Sequence, residues 1–312
     1  MDLCDGFRGW QITARRRMDL SQEKGKIMEE RAILKKCQIS GFADEIAPGL
    51  DRQIEVLKLL GISWLEFRSA DGINVADYTL EQAAAVKKKL DQEGIRVSAI
   101  GSPIGKIGIE EAFEPHLKSL EHIMDVAEVM DCKYIRMFSF FIPEGKNPEE
   151  YRDAVMERMG KMVAAAKQRG FVLLHENEKE IYGDTAPRCL ELLKKFGGEN
   201  FKCTFDFANF VQCGQDTLEA YKLLAPYIFY IHVKDAKAAD GEVVLPGEGD
   251  GHLSQILQKL DENGYSGFLS MEPHLVDFGG FAALEKSGKK MKDGDGARAF
   301  ENAYQALEQL LS

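Results

Sequence analysis

The sequence predicts an α/β domain closed into an eight-stranded parallel barrel, the (β/α)8 fold. Three observations predict it. From residue 37 onward, a short apolar run followed by a helical stretch recurs eight times, and such alternation implies a parallel sheet covered by helices. Successive strand ends fall roughly 25 to 39 residues apart, the spacing of repeated βαβ units, and eight units suit a barrel of about 250 residues. Four of the apolar runs end in a side chain able to hold a metal: Glu176, Asp206, His232 and Glu272. In a barrel the C-terminal strand ends share one face, and chemistry sits there. An open doubly wound sheet is the alternative. The even strand count weighs against it, and the first strand leads into Gly41-Phe-Ala-Asp-Glu rather than a GxGxxG turn.

The first strand is predicted over 37–43, and an apolar-striped helix follows over 50–60. The second strand spans 63–68. Its helix spans 79–93, with Thr79 as N-cap and Gln82 three residues on. Strand three (97–101) precedes a long helix over 109–130, and strand four (134–138) precedes a helix over 148–169. Gly170 ends that helix, as a glycine after the last turn does. Strand five runs over 171–176, an apolar stretch going straight into His175-Glu176-Asn177-Glu178. Helix 185–196 closes at Gly197-Gly198. Strand six is 201–206 with helix 216–224, strand seven is 227–233 with helix 252–262 ending at Asn263-Gly264, and strand eight is 268–272. An amphipathic helix over 297–311 completes the chain, and the glycine- and lysine-rich stretch 277–296 is the longest expected loop. Residues 37–312 form one domain. Residues 1–36 carry Arg15-Arg16-Arg17 and no clear period, and read as an extension outside it, with Met18 and Met28 as alternative starts.

Net charge is −11, which argues against a general nucleic-acid binder, since phosphate neutralisation needs a basic face. No apolar run approaches the roughly 18 residues needed to span a bilayer. The N-terminus has no apolar signal core. Six scattered cysteines without a CxxC pair read as reduced thiols of a cytoplasmic protein.

Three carboxylates and an imidazole form a mixed oxygen and nitrogen set, suited to one divalent ion: Mn²⁺, Mg²⁺, Co²⁺ or Zn²⁺. Strand parity places Val172, Leu174 and Glu176 on one face, and Tyr230, His232 and Lys234 on one face. Lys234 is therefore expected beside His232, and His175 on the other side. Candidate substrate contacts are Arg68, Lys106, Arg136, Glu178, Asn209 and Lys234, all near strand ends or the loops after them. Each has a plainer reading as a structural ion pair or a solvated side chain. His116 reads as a cap or surface residue, and Phe138, Phe140 and Phe141 read as core or as a wall for a sugar ring.

The chain resembles the sugar phosphate isomerase/epimerase family, the xylose isomerase-like TIM barrels that include ketose 3-epimerases, inosose dehydratases and endonuclease IV-type enzymes. The resemblance runs from about Ile39 to His274. It rests on His175-Glu-Asn-Glu, Phe205-Asp-Phe-Ala-Asn-Phe, Ile231-His-Val-Lys-Asp, Pro246-Gly-Glu-Gly-Asp and Gly264-Tyr-Ser-Gly-Phe-Leu-Ser-Met-Glu-Pro-His. It implies that Glu176, Asp206, His232 and Glu272 are the metal ligands, and that Glu176 and Glu272 also exchange the substrate proton from opposite faces. Two departures stand out. Epimerases of the family usually carry a histidine where this chain has Asn209. The additional His and Asp ligands of the trinuclear endonucleases are replaced near the ends of strands two to four by Arg68, Ser102 and Arg136.

A metal that holds a carbonyl and its neighbouring hydroxyl acidifies the C–H between them. A carboxylate that removes the proton opens epimerisation, isomerisation or dehydration. The expectation is an isomerase or epimerase acting on a small carbohydrate. A keto-sugar or inosose-type dehydratase and a non-catalytic carbohydrate-binding barrel are the rivals, and a homodimer is left open.

Overall fold

A computed structural model describes residues 32–276 and 294–312. Eight parallel strands form a nearly closed barrel: β1 (Gln38–Gly41), β2 (Trp64–Phe67), β3 (Arg96–Gly101), β4 (Tyr134–Met137), β5 (Val172–Glu176), β6 (Phe201–Asp206), β7 (Ile228–Val233) and β8 (Phe268–Met271). The ladder runs β2-β3-β4-β5-β6-β7-β8-β1. Around it lie α1 (Leu50–Leu60), α2 (Leu80–Gln92), α3 (Phe113–Val129), α4 (Arg152–Gln168), α5 (Ala186–Phe196), α6 (Phe207–Gln212), α7 (Thr217–Leu224), α8 (Leu253–Glu262) and α9 (Gly296–Leu311). No helix among the described residues is long and apolar enough to cross a membrane.

Alternation along the strands builds two buried layers. Outward residues such as Phe67, Ile135, Leu173, Phe205, Ile231 and Leu269 pack under the helices with Leu57, Leu90, Ile123, Met159, Leu192 and Ile256. Inward residues fill the barrel. Ala99, Leu174 and Tyr230 plug it with Tyr134, Val172 and Phe268. Above this plug the filling turns polar. The Ser98 hydroxyl bonds Ser40 at 2.5 Å and the Tyr230 hydroxyl at 2.8 Å, so these buried groups satisfy one another. At the C-terminal mouth the inward positions are charged.

Local signals explain most boundaries. Thr79 and Gln82 form the reciprocal cap expected at α2, and Gly170 adopts φ +77° after α4, a conformation glycine takes without strain. The third helix begins at Phe113, not at 109. Gly108 bridges to Phe141 and the Ile109 N–H bonds the Phe141 carbonyl at 2.9 Å, which takes those residues out of any helix. Pro115 then sits in the first turn of α3, where its missing N–H costs nothing. Three elements lay outside the sequence pattern: the hairpins Ser69–Ala70/Ile73–Asn74 and Asp235–Ala236/Val243–Val244, and α6 directly after β6.

Residues 1–31 of the expected extension, and 277–293 of the expected loop, lie outside the described residues. Residues 32–36 pack on the barrel. Leu34 is 1% exposed, its N–H bonds the Asp261 carboxylate at 2.7 Å, and the Ala32 N–H bonds the Leu311 carbonyl. Cys132, Cys189 and Cys203 are buried thiols, and Cys213 is half-buried.

Candidate metal centre and active site

Four strand ends converge. Glu176 closes β5, Asp206 closes β6, His232 is next to last in β7, and Glu272 follows β8. Across the ladder Asp206 is level with His232, and His232 with Ser270. One ligand atom from each of Glu176, Asp206, His232 and Glu272 lies within 4.8 Å of the others, and all four residues are buried. His232 Nδ1 stands 3.2 Å from Glu176 Oε1, 3.4 Å from Glu272 Oε2 and 3.9 Å from Asp206 Oδ2.

Each ligand is held from behind. Asp206 caps α6, its Oδ1 accepting the Asn209 N–H at 2.7 Å, so its Oδ2 faces the cluster. Asn209 donates from Nδ2 to Glu176 Oε1 at 3.1 Å and to the Asn177 carbonyl at 2.9 Å. Glu272 takes Arg68 at 3.2 Å on Oε1 and Lys234 at 3.1 Å on Oε2. On the far side of the imidazole, Nε2 lies 3.2 and 3.3 Å from the two oxygens of Glu66, which also accepts the Ser270 hydroxyl at 2.6 Å. A carboxylate there keeps the proton on Nε2 and turns the Nδ1 lone pair toward the three acids.

The electrostatics call for a cation. Burial raises the Asp206 carboxyl to about 7, against the pull of Lys234 and with help from Glu176 and Glu272. Burial likewise opposes charge on His232, yet Glu176 and Glu66 outweigh it and hold the imidazole protonated well above its usual range. Lys234 stays charged despite burial because Asp206 and Glu272 flank it. It also holds Glu272, with His274 and His232, well below the usual carboxylate range against the cost of burial. Glu176 Oε2, Asp206 Oδ2 and His232 Nδ1 are buried without a hydrogen-bond partner, although Lys234 Nζ approaches Asp206 Oδ2 to 3.0 Å as an ion pair. Unpaired buried polar atoms are costly. Three of them within one buried cluster of carboxylates and an imidazole fit a divalent ion that would displace the imidazole proton.

The six candidate substrate contacts all lie at this mouth, but they are not equally engaged. Arg68 is saturated: it bonds Asp44 at 2.8 and 3.0 Å, Glu45 at 3.1 Å and Glu272 at 3.2 Å. Lys234 bridges Asp206 and Glu272, and Asn209 braces Glu176. Lys106 pairs with Glu178 at 3.2 Å. Burial disfavours a charged Glu178, but Lys106, Lys179 and Lys234 outweigh it and bring the group down to about 2. Among the described residues the one ion pair of Arg136 is to Glu176 Oε2, at 3.5 Å. His175 faces outward, as parity predicts, with Nε2 3.0 Å from the Ser139 hydroxyl. His116 Nε2 accepts the Gly105 N–H at 2.7 Å, bracing the loop that carries Lys106. Phe138 lies under Lys106 and Arg136, whereas Phe140 packs against Phe113 and His116 in the outer core.

The residues that sequence reasoning missed are Glu66, Asp44, Glu45 and His274. Glu45, Glu272 and His274 form a second buried group that shares Glu272. The Glu45 carboxylate accepts the His274 N–H at 2.8 Å, and burial raises that carboxyl to about 8 although Arg68 opposes the shift. Glu66 had one available signal, its shared parity with Arg68.

The sequence matches the description "xylose isomerase-like TIM barrel" over residues 54–294. The chain belongs to that family. An inosose isomerase of Halalkalibacterium halodurans is 22% identical over 255 residues, 78% of this chain and 89% of the relative. An inosose dehydratase of Clostridium perfringens is 25% identical over 143 residues, 40% of this chain and 48% of the relative, so the match spans about half of that relative's length. A solved L-ribulose 3-epimerase superposes with a TM-score of 0.69 at 17% identity, covering 88% of this chain and 94% of the other. These relatives are isomerases, epimerases and dehydratases, and they support an enzyme.

Proposed function

We propose that this chain is a divalent-metal-dependent isomerase or epimerase of a small keto-sugar or keto-polyol. Proton transfer takes place at the carbon between a carbonyl and a hydroxyl group. The observation that carries the reading is the convergence of Glu176, Asp206, His232 and Glu272, one ligand atom of each within 4.8 Å of the others, in a cluster that leaves three buried polar atoms without hydrogen bonds. A divalent ion held by these four residues would stabilise the negative charge that builds on the two substrate oxygens.

The chain's own groups supply the proton transfer. Glu272 is held ionised by Arg68 on one oxygen and Lys234 on the other, so it is in the charged form that a base needs. Glu176, fixed by Asn209, approaches from β5, across the cluster from β8, and can return a proton on the other face. Return to the same carbon inverts it, whereas return to the neighbour moves the carbonyl. Lys234, 3.0 and 3.1 Å from Asp206 and Glu272, favours the charged form of each acid and can meet a hydroxyl or oxyanion of the substrate.

The experiment is incubation of the Mn²⁺-supplemented chain with a panel of ketoses and inososes in deuterated water. Deuterium entering the sugar with a new stereocentre or a moved carbonyl is expected. Binding without any deuterium uptake across the panel refutes the reading and leaves a carbohydrate-binding barrel. A second reading, dehydration, is favoured by the inosose dehydratase relatives and by Lys234 as a cation able to meet a leaving hydroxyl. Its signature is growth of enone absorbance.

A further inference from the structure

Arg136 is the anomaly of the site. It sits on the inward face of β4 and is 2% exposed. Its guanidinium donates no hydrogen bond to any described residue. Nε has no partner, and the one ion pair, to Glu176 Oε2, is 3.5 Å long. Two aromatic rings accompany it, Phe138 with its centroid 4.6 Å away and Phe42 at 5.4 Å. Rings stabilise the charge through their faces but offer no acceptor to the in-plane N–H groups. A buried guanidinium with unmet donors costs several kcal/mol.

Arg68 shows that this mouth can satisfy an arginine fully. It projects from the end of β2, and Asp44 takes it in a two-point pair. Among the described residues no acid takes Arg136 in a two-point pair; Glu176 meets it through one oxygen only. Were Arg136 only a counter-charge for Glu176, the same two-point geometry would be expected. Instead, Glu176 Oε1 is occupied by Asn209 and lies 3.2 Å from His232 Nδ1, which leaves Oε2 alone to meet Arg136, at 3.5 Å. Lys106 brings a second cation to the same Phe138 ring, with its Nζ 4.5 Å from the centroid.

We propose that Arg136 recognises an oxyanion, so that the substrate is an acid: a keto-sugar or keto-polyol bearing a carboxylate or phosphate. The planar fork of the guanidinium suits either group, because both accept two parallel N–H bonds. The anion docks between Arg136 and the Phe138 wall, and the keto end reaches Glu176 and Glu272. This proposal rests on the metal-dependent keto-sugar reading above.

The test is a set of binding titrations on the full chain, both chelator-stripped and Mn²⁺-loaded. Quinate, a cyclic polyol carboxylate, is compared with its uncharged methyl ester, and fructose 6-phosphate with fructose. The proposal expects at least one anion to bind about tenfold or more tighter than its neutral partner, the scale of a charge-assisted hydrogen bond. Quinate preference assigns a carboxylate, and fructose 6-phosphate preference assigns a phosphate. The preference should persist in stripped protein, where no metal can supply it. Arg136→Gln should abolish it, and Arg136→Lys should restore part of it. Equal binding of charged and neutral partners in the wild type overturns the proposal, with no variant needed. A preference that survives Arg136→Gln also overturns it, as does failure of both anions to bind at millimolar concentration. A chain that loads Mn²⁺ and exchanges deuterium with neutral ketoses while ignoring anions keeps the keto-sugar reading and loses this one. A chain that takes no Mn²⁺ loses the metal-dependent reading, and the anion comparison in stripped protein is read on its own.

Discussion

Replacing Glu66 by Gln tests how the barrel interior prepares the metal centre. Glu66 lies on β2, fully buried, and touches neither the cluster's inward atoms nor solvent. It acts through His232, whose Nε2 is 3.2 Å away, and is itself fixed by Ser270 at 2.6 Å. Removing the charge weakens the preference for the proton on Nε2 and lets the ring present an N–H, not a lone pair, to the ion. Loss of such an outer carboxylate typically costs 10- to 100-fold in metal affinity, or about 1.4 to 2.7 kcal/mol. Gln is close in shape and can still accept one bond, so about tenfold is expected. Glu66→Ala also leaves the Ser270 hydroxyl without its acceptor, and should reach the upper end. The assay is isothermal titration of chelator-stripped protein with Mn²⁺, beside thermal unfolding without metal. An affinity for Mn²⁺ within twofold of wild type in Glu66→Gln, in a variant that melts normally, refutes the role assigned to Glu66.

Three further outcomes follow from the same contacts. Burial disfavours the His175 imidazolium more than Glu176 favours it, so the group falls to about 4 from 6.5. Between those values the unfolded chain binds the extra proton. The contribution of His175 to the stability of stripped protein should therefore rise with pH from about 4 to 6.5 and level off above, by about 3 kcal/mol in total, read as the difference between wild type and His175→Gln. Urea midpoints at several pH values check this, and an unchanged slope in His175→Gln contradicts it. Gly183→Ala would place a methyl 2.5 Å from His175 Cε1 and 2.8 Å from Ser139 Oγ, so a loss of about 1 to 3 kcal/mol is expected, read as a lower urea midpoint. Asn209→Ala frees Glu176 Oε1 and the Asn177 carbonyl. Its kcat should drop about tenfold with KM little changed, and an equal kcat in a folded variant would show that Asn209 does not position Glu176.

The barrel was legible in the sequence because the strands carry local evidence: an apolar run, often a bounding glycine or cap, and in four of them a metal-capable side chain at one end. The parity that sends His175 outward and Lys234 inward could be counted along a single strand. The four candidate ligands were visible for the same reason, since an acid or imidazole at the end of a buried strand is locally anomalous. Glu66 was not, because its meaning lies in a contact with His232, 166 residues away, that exists only once the ring closes. Asp44 and Glu45 acquire a role only through Arg68, which the fold brings against both. Arg68 and Arg136 read alike in sequence, as arginines at strand ends. Only the fold separates the saturated one from the one left without hydrogen bonds.

The most direct test is the metal content of protein purified without chelator, measured by mass spectrometry beside Glu272→Ala. About one Mn, Co, Zn or Mg per chain, lost in the variant, is what a four-residue site requires. A wild-type chain that stays metal-free even after Mn²⁺ and Zn²⁺ are supplied contradicts the account. Its buried acids would then owe their arrangement to Lys234 and the protonated His232 alone.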